Sequence, residues 1–109
     1  MDLKIYPVVL EMVRRLAPMR DVLRSHSKEL GEQFERALIS VPLNLAEGSY
    51  SRGGNRVAKY HVALGSAREA LACLETAQAF GWIGPLAPEC AALSQRVLGT
   101  LVRLVHPKR

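Results

Sequence analysis

Between Glu47 and Glu69 the chain carries no acidic residue, and Arg52, Arg56, Lys59 and Arg68 all fall in that gap. Arg52, Arg56 and Lys59 are spaced by 4 and 3, so they share one face wherever the segment is helical. Cations grouped in this way bind the phosphates of nucleic acids, without regard to sequence and with a steep dependence on salt. A second acid-free run follows Glu89 and holds Arg96, Arg103, Lys108 and Arg109. The N-terminal segment adds Arg14, Arg15, Arg20 and Arg24. With a net charge of +5 and a pI near 9.7, the chain as a whole attracts polyanions. The plain alternative is that each run is a solvated helix face. The phosphate-binding reading gains weight if an oligomer repeats the charge around an axis. The predicted nucleic-acid-binding residues are Arg52, Arg56 and Lys59, supported by Arg14, Arg15, Arg96 and Arg103. Aromatics make up 6% of the chain and are not interleaved with the cations, so readout by base stacking is not expected.

Other chemistries find little support. His26, His61 and His106 lie on different elements without a shared short spacing, and no Glu-x-x-His pair occurs, so no metal site is expected. Glu69 and Glu75 flank a helical seam, with Arg68 beside the first. No serine or cysteine stands in a recognisable nucleophile turn. The loop SYSRGGN is rich in glycine but lacks the Gly-Lys-Ser/Thr ending of a phosphate-cradling loop. No enzymatic activity and no cofactor is predicted. Cys73 and Cys90 are expected to be free thiols about a helical turn out of register, in a reducing, cytoplasmic setting. The start, MDLKIYPVVLEMVRR, carries charges through its apolar run and does not have the form of a secretory leader. No uncharged stretch approaches the ~20 residues of a membrane span.

The segment VPLNLAEG poses a separate question. Pro42 lies inside a helical apolar pattern and frees the carbonyl of Leu38, so a polar group nearby is useful. Asn44 and Glu47 share a face next to it. The structural account has Asn44 satisfying backbone groups there and Glu47 pairing with Arg56 across the following turn. The functional account makes Asn44, Glu47 and Arg52 a ligand pocket. The structural account is preferred, with Pro42, Asn44, Glu47 and Gly48 forming a built-in joint.

The elements that position these residues follow from periodicity. Ile5, Val9, Met12, Leu16, Met19 and Leu23 form one stripe that stays in register across Pro18, predicting a single helix kinked there. Leu30, Phe34, Leu38, Val41 and Leu45 mark a second helix. A third carries Val57, Tyr60, Leu64, Ala67, Leu71 and Leu74 beside a row of small residues, Ala63, Ser66, Ala70, Cys73 and Ala77. Gly54 or Asn55 is the predicted start of that helix and Gly81 its end. The fourth opens at Pro88 and carries Cys90, Leu93, Val97, Leu101 and Leu104. These four predict an all-α, antiparallel up-down-up-down four-helix bundle, a single domain over residues 1–109. Val8, Leu10 and Val13 on the first helix, and Leu98, Val102 and Val105 on the last, widen their apolar faces beyond one buried stripe, which predicts self-association.

The stretches SVPLNLAEGSYSRGGNR and YHVALGSAREALACLETA resemble a family of four-helix bundle proteins. Its members were first noticed as open reading frames in intervening sequences of bacterial large-subunit ribosomal RNA genes. The family pattern is matched at Ser40, Pro42, Asn44, Ala46, Glu47, Gly48, Arg52, Ala63, Gly65, Ser66 and Glu69. Leu43, Leu45, the Gly53–Gly54 pair and Pro18 depart from its common form. The resemblance implies kinship with accessory proteins of diversity-generating retroelements, which form basic homopentameric barrels and associate with a reverse transcriptase and nucleic acid. The expected function is that of a non-enzymatic homo-oligomer, a pentamer by this resemblance. It would bind RNA or DNA without base specificity, or serve a nucleic-acid enzyme as an accessory. The alternative is a protein-interaction scaffold with no nucleic-acid role.

Overall fold

A computed structural model of the chain describes residues 3–107. Lys108 and Arg109, counted above in the basic C-terminal run, lie outside the described residues. The described chain is an all-α bundle of five helices: α1 (Ile5–Leu16), α2 (Met19–His26), α3 (Lys28–Ser49), α4 (Gly53–Ala79) and α5 (Pro88–Val105). The count differs from the predicted four because the first predicted helix is divided at Pro18. Pro18 has no N–H to bond back to residue 14. The Arg20 N–H instead bonds the Ala17 carbonyl at 3.1 Å, a tighter three-residue turn. Ala17 and Pro18 keep right-handed helical dihedrals, so the apolar stripe is not lost. Ile5, Val9, Met12, Leu16 and Leu23 are all buried.

The start of α3 is fixed by Ser27, whose hydroxyl accepts from the Leu30 N–H at 3.1 Å, with Glu29 favourably placed in the first turn. α3 packs most extensively on α4; α2 lies on α3, α4 on α5, and α5 returns to α1. An ion pair between Arg20 and Glu35 ties α2 to α3. The core is continuous, from Phe34, Leu38 and Val41 of α3 through Ala63, Leu64, Ala67 and Leu74 of α4 to Val97 and Leu101 of α5. At the α2–α3 corner the backbones approach so closely that a Cβ on Gly31 would lie 2.9 Å from the Arg24 nitrogen. α4 ends as predicted at Gly81 (φ +76°). Its N–H bonds the Gln78 carbonyl at 2.9 Å and the Trp82 N–H bonds the Ala77 carbonyl at 2.9 Å, which turns the chain sharply back.

Much of the apolar surplus of the first and last helices, Leu10 excepted, packs within the chain. Val8, Val13, Leu98 and Val102 pack against the core and Val105 is buried, because α1 and α5 face each other. The exposed large apolar side chains are elsewhere, notably Ile39 and Leu43 on α3 and Val57 and Val62 on α4. Val57, predicted to lie in the α4 seam, is 43% exposed. Among the described residues no helix is long and apolar enough to cross a membrane. Cys73 and Cys90 are both free thiols. Burial, and then the nearby Glu69 carboxylate, push the Cys73 thiol up, while Cys90 is only half-buried. In the folded protein, iodoacetamide should alkylate Cys90 at least about tenfold faster than Cys73, as peptide mapping would show.

Candidate nucleic-acid interface

Pro42 is buried inside α3, and the helix continues through it to Ser49. Just beyond, the Asn44 amide donates to the Ser40 carbonyl at 3.0 Å and to the Ser40 hydroxyl at 2.9 Å. The Ser66 hydroxyl donates to that same Ser40 oxygen at 2.7 Å. A hydrogen-bonded chain therefore crosses from α4 to α3 and ends on a backbone carbonyl two residues before the proline. Replacing Asn44 with Ala removes two of its bonds but leaves the Ser40–Ser66 link. Such a variant should lose about 1 kcal/mol in denaturant unfolding. Gly48 is the second contact between the helices. A Cβ there would sit 2.6 Å from the Tyr60 ring, which is itself buried.

The expected Glu47–Arg56 pair is absent. Glu47 pairs with Lys59 at 2.9 Å. Arg56 instead turns to the end of α3, whose last turn has no basic residue of its own. Its Nε donates to the carbonyls of Gly48 (3.2 Å) and Ser51 (3.0 Å), and Nη2 donates to Ser49 (3.2 Å). Carbonyls left free at a helix C-terminus carry partial negative charge, and a guanidinium satisfies several of them at once.

Of the three leading cations, then, Lys59 is ion-paired and Arg56 is bound to backbone. Arg52 is exposed and has no partner among the described residues. It is the N-cap of α4, in place of the predicted Gly54 or Asn55, because its extended backbone precedes Gly53 at φ +56°. No side chain caps the first turn of α4, and nothing lies within 4 Å of where a Cβ on Gly53 or Gly54 would be. An exposed arginine thus stands beside open amides at the positive end of a 27-residue helix.

The supporting cations are divided. The rings of His61 and His106 meet edge to face at 6.2 Å, which brings the C-terminal end of α5, with Arg103, to the same end of the bundle. Arg103 donates to Thr100 at 3.0 Å. Arg14 and Arg15 both pair with Glu11, at 3.0 and 3.1 Å, and hold its carboxyl below the usual range. Arg15 also feels Cys90 and Glu89, which places it toward the start of α5 and away from Arg52. Arg96 is exposed on the middle of α5, with no partner among the described residues. Arg52, Arg56, Lys59 and Arg103 therefore share one end, whereas Arg14 and Arg15 do not join them. Among the described residues no group of three His, Cys, Asp or Glu side chains is placed to hold a metal ion.

A family model described as 23S rRNA-intervening sequence protein matches residues 1–96. The chain belongs to that family. No curated protein and no solved structure matches it. The geometry accounts for much of the pattern this member carries. Ser40, Asn44 and Ser66 form the interhelical hydrogen-bond chain, Glu47 anchors Lys59, and Gly48 admits Tyr60. Arg52, Gly65 and Glu69 are exposed pattern residues without such a role, and a Cβ on Gly65 would meet nothing within 4 Å.

Proposed function

We propose that this intervening-sequence protein is a non-enzymatic, self-associating bundle that binds RNA or DNA through backbone phosphates. Counting α1 and α2 as one kinked unit, we take the bundle to be an antiparallel up-down-up-down arrangement of four layers. The observation that carries the reading is the basic end of the molecule. Arg52 has no partner among the described residues and stands beside the start of α4, which no side chain caps, and Arg103 comes to the same end. Arginine side chains, backbone amides and a helix dipole at one end favour phosphate over base contacts. Self-association supports the reading by multiplying the surface, and the exposed Ile39, Leu43 and Val62 supply apolar area for it. A pentamer, a place among retroelement accessory proteins and a reverse transcriptase as partner come with the resemblance.

Gel-shift titrations with structured RNA and duplex DNA test the proposal, with light scattering for the assembly. Both nucleic acids should shift with little preference for sequence, and the protein should run as an oligomer. A shift confined to one sequence would contradict phosphate-led binding. The scaffold reading draws on Ile39 and Leu43, which are 51% and 56% exposed on α3. It requires salt-insensitive docking of a protein partner on that face and no affinity for polyanions.

A further inference from the structure

At the end of the bundle away from Arg52, aromatic rings from distant parts of the chain come together. The turn at Gly81 folds Trp82 back so that its ring stacks on Phe80, with centroids 4.6 Å apart and planes 14° apart. His26, the last residue of α2, stacks on the same indole at 5.1 Å and 4°. Phe80 is 65% exposed, although a phenylalanine has most to gain from burial. The stack borders a cleft of about 250 Å³ whose lining includes Glu29, Gln33, Thr76 and Leu30. That is smaller than the ~300–1,000 Å³ of sites for drug-sized ligands and suits a single flat ring system.

The polar lining narrows the choice. Thr76 spends its hydroxyl proton on the Ala72 carbonyl, and one Glu29 oxygen receives a long 3.4 Å bond from Gln33. The second Glu29 oxygen remains an acceptor, and Gln33 keeps its carbonyl and one N–H. A carboxylate repels phosphate but accepts from an exocyclic amine, as carboxylates do from the amino group of cytosine. Arg24 and Lys28 are exposed on the same corner, where a phosphate backbone would pass.

We propose that this corner is a stacking site for one unpaired, amino-bearing nucleobase, adenine, cytosine or guanine, of a single strand. The base lies on the exposed ring of Phe80, which itself stacks on Trp82, with its amino edge toward Glu29. The site extends nucleic-acid binding to single strands but stands on a different observation from the basic end. α3 alone separates the two by about 33 Å along its axis.

Trp82 is the single tryptophan and reports stacking directly through its fluorescence. The intact protein is titrated with short oligoadenylate, short oligouridylate and adenosine. Oligoadenylate should quench saturably and bind several-fold more tightly than oligouridylate, and adenosine should quench weakly toward the same plateau. Phe80→Ala should weaken oligoadenylate by about tenfold, the effect of losing one base–aromatic stack. Phe80→Tyr keeps the ring and should restore affinity, which separates stacking from misfolding. Glu29→Gln should reduce the preference for adenylate over uridylate. Absence of quenching by all three probes would overturn the site, as would affinity unchanged in Phe80→Ala. Adenosine carries no phosphate, so its quenching survives if the basic end does not bind nucleic acid. Duplex binding without adenosine quenching would remove this site alone.

Discussion

Gly31→Ala should lower the stability of the bundle by about 3 kcal/mol, the upper part of the range for forcing a methyl into a packed site. The new Cβ would collide with the Arg24 side chain, which can swing away, and would also lie 2.9 and 3.0 Å from the Arg24 nitrogen and Cα, which cannot. Relief requires α2 to move off α3, taking Leu23 out of the core and straining the Arg20–Glu35 pair. In a domain of this size the loss corresponds to roughly 15 °C in melting temperature. Gly48→Ala should cost less, about 2 kcal/mol, because the obstacle is the Tyr60 ring rather than a backbone. Gly65→Ala is the control. It lies in the interior of α4 with open space around it, so helix propensity alone should raise monomer stability by about 0.5–1 kcal/mol. Calorimetry on the three variants should preserve this order. If Gly31→Ala melts with the wild type, the close α2–α3 corner is not as described.

Reversing charge at the basic end should have the largest effect on binding. The structure changes which residues are best reversed. Arg56→Glu would strip the cap from α3 and set a carboxylate against the carbonyls of Gly48, Ser49 and Ser51. Lys59→Glu would face Glu47. Both would confuse folding with binding. Arg52→Glu with Arg103→Glu avoids this, since Arg52 has no partner among the described residues and Arg103 holds only an exposed hydroxyl. The double variant should bind structured RNA and duplex DNA about ten- to a hundredfold more weakly at low salt. Its plot of log K against log salt should flatten by about 2, one for each arginine that no longer neutralises a phosphate. Thermal melting should stay within about 0.5 kcal/mol of wild type, as for surface substitutions generally. Arg14→Glu with Arg15→Glu, away from the basic end and sharing Glu11, which offsets one of their two charges, should change affinity far less.

The helices were legible because their signals are local. The stripes of α3, α4 and α5 follow one helical period, and Pro88 at the start of α5 and the glycine end of α4 are written within one turn of chain, whereas the Ser27 cap of α3 was missed. The division at Pro18 was half legible: the register survives across the proline, but a tight turn replaces the kink. Apolar width on α1 and α5 does not say which neighbour covers it, and part of it is covered where those two helices meet. At the candidate site, Arg52, Arg56 and Lys59 do lie together, yet their partners depended on tertiary placement. A helix end short of carbonyl partners competes with a carboxylate for a guanidinium, and spacing does not rank the two. The Phe80–Trp82 stack was not legible in the sequence, although Gly81 between them marks the turn that makes it. His26 joins it from more than fifty residues away, which no count along the chain reveals.

If the basic end binds nucleic acid through phosphates, affinity must fall steeply as salt rises. Fluorescence anisotropy of labelled structured RNA and duplex DNA, titrated with the wild-type protein at about 50 and 200 mM salt, tests it most directly. Binding to both that weakens by orders of magnitude between the two conditions is the predicted result. No binding at the lower salt, or an affinity indifferent to salt, would contradict it and turn attention to the exposed apolar face around Ile39 and Leu43.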